Sequence, residues 1–178
     1  DTTFPDKLIS YFSILSMLTR QLINIPVHLG LDHLPNIYCG VAVFVLLPLY
    51  IMCSKVNARE KIGKCVILLI FLTAFNLNIP NYIWHGMHFP NSLPCRQSFI
   101  YIFFLLAMCY EAVINLKNST NRQLGASLWI AIGLLLIMEE LFINSETEYS
   151  FKSVYISGIF ILIYGLLMFI HNNAKFKI

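Results

Sequence analysis

Two polar stretches stand out in a chain that is otherwise mostly apolar. The denser runs Asn81-Tyr82-Ile83-Trp84-His85-Gly86-Met87-His88-Phe89-Pro90-Asn91-Ser92-Leu93-Pro94-Cys95-Arg96, and the other runs Asp32-His33-Leu34-Pro35-Asn36-Ile37-Tyr38-Cys39-Gly40. Arg96 carries five N–H donors in a planar fork, and His85 and His88 add donors or a titratable acid/base pair, a set suited to a phosphate or pyrophosphate headgroup. Trp84, Tyr82 and Phe89 offer faces for a sugar ring, or equally belong to the aromatic belt at a membrane surface. If both stretches emerge on one side, Asp32, His33, His85, His88, Asn91 and Arg96 form one polar mouth. A metal reading competes, with His85, His88 and Asp32 as ligands. Gly86 weakens it by interrupting the helix that would align two imidazoles. In a third reading the loop is a capping or re-entrant element whose Asn and His side chains satisfy backbone groups.

The elements that must position these residues are membrane helices. Of the 178 residues, 58% are hydrophobic and only 12% charged, with a mean hydropathy of +0.72, outside the range of ordinary soluble domains. Five apolar runs, near 37–53, 62–79, 98–116, 124–143 and 154–170, each suffice to cross a bilayer, because a helix satisfies its own backbone where lipid cannot. Pro48 makes the first the least regular. Leu8 to Ile25 has helical spacing but is interrupted by Ser10, Ser13, Ser16, Arg20 and Gln21, which predicts an amphipathic helix in the interface rather than a sixth span. The expectation is an all-α, polytopic membrane bundle of about five spans forming a single transmembrane domain over 1–178, with an amphipathic helix and loop over 1–36.

Pro80, Gly86, Pro90 and Pro94 predict a shaped loop between the second and third runs. Lys55, Arg59, Lys61, Lys64, Lys117, Arg122, Lys175 and Lys177 all fall on one side if the spans alternate. The positive-inside rule makes that side cytoplasmic and the two polar stretches extracytoplasmic. Cys39, Cys53, Cys65, Cys95 and Cys109 form no CxxC pair and read as packing residues, with a Cys39–Cys95 disulfide as the alternative. Gly125, Gly133, Gly158 and Gly165 suit close helix packing. Glu111, inside an apolar run, is expected to snorkel or to pair with a basic residue such as Arg122. Asn76 and Asn78 either line the cavity under the loop or bond a neighbouring helix. The start at Asp1, without an initiator Met or signal pattern, reads as that of a fragment.

The string Trp84-His85-Gly86-Met87-His88-Phe89-Pro90-Asn91-Ser92-Leu93-Pro94-Cys95-Arg96-Gln97-Ser98-Phe99 resembles the signature of the bacterial YfhO family of membrane proteins. Pro35-Asn36-Ile37-Tyr38-Cys39-Gly40 resembles that family's segment opening a transmembrane helix, and a basic loop with Arg59-Glu60-Lys61-Ile62 lies between them. The likeness covers roughly Leu34 to Tyr110. It implies a GT-C type glycosyltransferase that takes a polyprenyl-phosphate-linked sugar at the outer face of the plasma membrane and modifies a cell-envelope polymer such as teichoic acid. No organic cofactor and no nucleic-acid partner are expected. Carried over by position, Asn36, Tyr38, Trp84, His85, His88, Asn91 and Arg96 would form the donor-lipid site. Such enzymes generally place a catalytic Asp in the first external loop, to which no residue here corresponds, so the catalytic base is unassigned and Asp32 is not promoted to it. Cys95 stands where the family often has an aromatic residue. The rival reading is a transporter or lipid-headgroup-binding protein in which the same loop is a gate or clamp.

Overall fold

The structure, a computed structural model, describes residues 3–27, 34–89, 95–143 and 151–173. Asp32, His33, Asn91, Lys175 and Lys177 lie outside them. The described residues form helices α1 (Ile14–Thr19), α2 (Val43–Met52), α3 (Ala58–Asn76), α4 (Asn78–Trp84), α5 (Ser98–Ile114), α6 (Asn121–Ile143) and α7 (Phe151–Asn173), with a 3-10 turn over Leu116–Asn118. Among the described residues there is no strand, and the single β-bridge joins Ser10 to Leu77.

Helices α6 and α7 are long and apolar enough to cross a membrane. Only 22% and 33% of their apolar windows are buried, so they are not interior helices of a soluble core. α5, apolar and 17 residues long, reaches about 25 Å at 1.5 Å per residue. α2 differs from the run expected over 37–53: its helix starts at Val43 and has only 10 residues. Gly40 at φ 103° is incompatible with a right-handed helix, so the chain from Leu34 to the helix is irregular although Pro35, Ile37 and Val41 are buried.

Two further expectations are corrected. The helix predicted over Leu8 to Ile25 is confined to the six residues of α1, and Arg20 and Gln21, which looked like a polar outer face, are buried. Arg59, Lys61 and Lys64 lie not in a loop but in the opening turns of α3, which Asn57 caps by accepting from Arg59 N–H at 3.0 Å.

Pro80 explains the break between α3 and α4. In a continuous helix Asn76 O would accept from the N–H of residue 80, and proline has none. Tyr11 N–H takes that place at 2.9 Å. Pro80 then falls in the first turn of α4, where its missing donor costs nothing. α6 and α7 pack closely because Gly158 and Gly165 leave room for Leu135 and Leu128. Gly125 and Gly133 face open space, so only one helix of the pair uses its glycines for contact.

Polar bonds between elements sort into two ends. At one end Gln123 Nε2 donates to Met52 O at 2.8 Å, Asn172 Nδ2 to Ser119 O at 3.1 Å, and Lys64 bridges Glu60 and Glu111. Lys64, not Arg122, is therefore the partner of Glu111. Lys61 also donates to Ile51 O and Cys53 O at the end of α2. At the other end gather the leading segment, the approach to α2, the α3/α4 break and the start of α7.

Candidate functional site

The leading segment is a strap across this second end, and amide side chains hold it. Asn78 Nδ2 donates to Lys7 O and Asn78 Oδ1 accepts from Ile9 N–H, both at 2.8 Å. Asn76 Oδ1 accepts from Phe12 N–H at 3.0 Å and Ser10 Oγ–H at 3.1 Å. These two residues thus bond a neighbouring segment, and that segment is an extended chain rather than a helix. Further on, Gln21 repeats the device in reverse: Nε2 donates to Ile37 O at 2.7 Å and Oε1 accepts from Cys39 N–H at 3.3 Å. In each case a carboxamide replaces the missing strand partner of an irregular, partly buried backbone, whose unsatisfied groups would each cost about 1–3 kcal/mol.

Arg20, only 3% exposed, holds the approach to α2. Its Nη2 donates to Asn36 Oδ1 at 2.6 Å and its Nε to Pro35 O at 3.4 Å. The strap ends on α7, where Ile23 N–H donates to Ser157 Oγ at 3.1 Å and Ser153 Oγ–H to Asn24 O at 3.5 Å. Arg20 and Gln21 were missed as site-building residues. Their signal in the sequence was an adjacent Arg-Gln pair set in a largely apolar segment.

The signature loop leaves α4 later than proline and glycine spacing suggested, because Asn81 to Trp84 are helical. Trp84 packs edge-on against Phe71, with ring centroids 4.9 Å apart, while remaining partly exposed. Tyr82 is buried between Phe4 and Phe89, at 5.7 and 5.3 Å. His85 ends α4, with Nδ1 2.9 Å from Asn81 O; that contact requires the proton on Nδ1 and leaves Nε2 for another partner. The His85 and His88 rings lie 6.5 Å apart, near perpendicular. Gly86 and Met87, at φ 73° and 64°, make the turn between them. Among the described residues no three His, Cys, Asp or Glu side chains are grouped to share a metal ion.

On the return, Cys95 at φ 60° turns the chain into α5, with its thiol directed at Phe75 O, 3.9 Å away. Burial pushes that thiol up to about 12, so it is a packing group rather than a nucleophile. All five cysteines are free. Arg96 is exposed at the rim, and Tyr38 is exposed as well.

The arrangement thus brings the described parts of the two polar stretches to one end of the bundle by way of the strap, which is bonded to Asn76 and Asn78 through residues 7–12 and to Pro35–Cys39 through Arg20 and Gln21. Between these anchors lies α1, six residues or about 9 Å at 1.5 Å per residue. His85 and His88 are paired directly. Asn36 is a structural partner of Arg20, so its amide helps to orient the backbone before α2.

Comparison with known proteins adds one relation. A family model described as bacterial membrane protein YfhO matches residues 2–178, well beyond the stretch in which the motifs are legible. No curated protein and no solved structure matches the chain.

Proposed function

The chain belongs to the bacterial membrane protein YfhO family, and from that premise we propose that it is the donor-lipid-binding membrane part of a glycosyltransferase. The donor is a polyprenyl-phosphate-linked sugar, the acceptor a cell-envelope polymer such as teichoic acid, and the site the extracytoplasmic rim carrying Asn36, Tyr38, Trp84, His85, His88, Asn91 and Arg96. In this reading the helices α3, α5, α6 and α7 span the bilayer and α2 completes a fifth span with the irregular segment before it. Their outward faces support this: Ile62, Leu69, Phe99, Phe103, Trp129 and Leu166 are all exposed, a distribution that water would penalise and acyl chains would not. Irregular backbone at membrane depth is tolerated where protein covers it, as Arg20 and Gln21 do before α2.

The observation that carries the proposal is an exposed arginine just before α5 and two neighbouring imidazoles just after α4, at one end of an apolar bundle. Glycosyl transfer from a lipid phosphate breaks the anomeric C–O bond and leaves negative charge on the phosphate. A guanidinium fork and a protonated imidazole stabilise that charge, and the apolar tail rests against the exposed helix faces. The group that takes the acceptor's proton is not among these residues. Arg96→Ala in the native protein is expected to abolish glycosylation of envelope polymer in cells while the protein still accumulates in the membrane. Unchanged glycosylation would refute the phosphate role of Arg96.

A further inference from the structure

Gln97 follows Arg96 and is only 4% exposed, and neither its Nε2 nor its Oε1 has a hydrogen-bond partner among the described residues. Asn81, on the other flank of the same loop and 6% exposed, leaves its Oδ1 without a partner among the described residues. Buried carboxamides elsewhere in this end of the molecule, at Gln21, Asn76 and Asn78, are engaged through their amides, so these two are exceptions at the base of one loop. A buried amide without partners carries a desolvation cost that proteins rarely leave uncompensated.

The kind of compensation follows from the orphaned atoms. Either orientation of the Gln97 amide presents one donor and one acceptor, and Asn81 adds a second acceptor. Two unpartnered acceptor oxygens repel a phosphate, which needs donors, and attract a group that itself donates. A hydroxyl both donates and accepts. We infer that Gln97 and Asn81 bind hydroxyl groups of the sugar carried by the lipid, as specificity-determining residues beside the phosphate-binding Arg96. The inference rests on the proposed donor-lipid site and names the part of the ligand that its base reads.

The test is binding to the full chain in phosphatidylglycerol vesicles, using polyprenyl phosphate, bare or linked to glucose, galactose or N-acetylglucosamine. The native protein is expected to prefer one sugar-bearing lipid over the bare one. Gln97→Met keeps the volume and removes the amide; it should lower affinity for the preferred lipid about tenfold, the effect of one lost buried hydrogen-bonding group, and leave bare polyprenyl phosphate unchanged. Asn81→Leu, near-isosteric and on a separate element, should act the same way and guards against a folding defect at Gln97. Full retention of the preference in both variants, or a native protein indifferent to the sugar, overturns the inference and leaves the phosphate site standing, the amides then being satisfied by water alone. Failure of the native protein to bind even bare polyprenyl phosphate overturns the inference together with the reading beneath it.

Discussion

At the scale of single residues, two arginines of the same end do different work, and their burial separates them. Arg20 is enclosed and bonds Asn36 and Pro35 O; Arg96 is exposed on the rim. Removing a buried, charged donor strands its acceptors at about 2–3 kcal/mol, whereas an exposed side chain contributes within about 0.5 kcal/mol to stability. Arg20→Met is therefore expected to lower the thermal unfolding midpoint in detergent by several degrees, with Arg96→Met close to the native value. Equal destabilisation by the two would remove the distinction between a buried scaffold arginine and an exposed one. Sequence alone singled out Arg96 and passed over Arg20. Arg96 lies in a polar loop, where a guanidinium announces itself, while Arg20 interrupts an apolar run and so read as the wet face of an interfacial helix. The physical reason is that burial along the strap follows position rather than polarity: Leu8, Ile9, Tyr11, Ile14 and Leu15 are exposed, whereas Thr19, Arg20 and Gln21 are buried together with Met17 and Leu22.

Among the elements, regular helices were legible and irregular ones were not. The run near 98–116 became α5 and the last two runs became α6 and α7, because long apolar periodicity has one low-energy outcome where backbone groups must satisfy themselves. The run near 37–53 is largely apolar, yet residues 37–42 and 53 are non-helical. Apolarity reports burial; it does not report whether the buried backbone is bonded by its own helix or by a glutamine from elsewhere. The glycines show the same limit. All four suited close packing by sequence, but a Cβ at Gly165 would meet Leu128 Cδ1 at 2.9 Å, whereas one at Gly133 meets nothing within 4 Å. Gly165→Val should destabilise the α6–α7 pair by about 1–3 kcal/mol through overpacking. Gly133→Ala should be neutral or stabilise by up to about 1 kcal/mol through helix propensity. Unfolding midpoints of the two variants, measured in one detergent, check the order; a Gly165→Val midpoint at or above that of Gly133→Ala would contradict the packing.

Over the whole molecule, the two polar ends carry opposite chemistry, and that opposition makes sidedness testable. Lys64 with Glu60 and Glu111, Lys61 on the end of α2, and Lys55 and Arg59 beside them mark one end; the strap, Tyr38, His88 and Arg96 mark the other. Cationic loops resist translocation, so the basic end is expected to stay cytoplasmic and the strap end to face outward. The strap bonds both the approach to α2 and the α3/α4 break, and therefore Tyr38 and His88 must share a side whichever way the bundle inserts. With the native cysteines replaced by alanine, Tyr38→Cys and His88→Cys are each expected to react with a membrane-impermeant maleimide in intact cells, and Arg59→Cys only after permeabilisation. If all three reversed together, the positive-inside assignment would be wrong while the site remained intact. Labelling of Tyr38→Cys and His88→Cys from opposite faces would be a deeper failure, because no single end of the bundle would then join the loop carrying His88 to the segment that Arg20 and Gln21 hold.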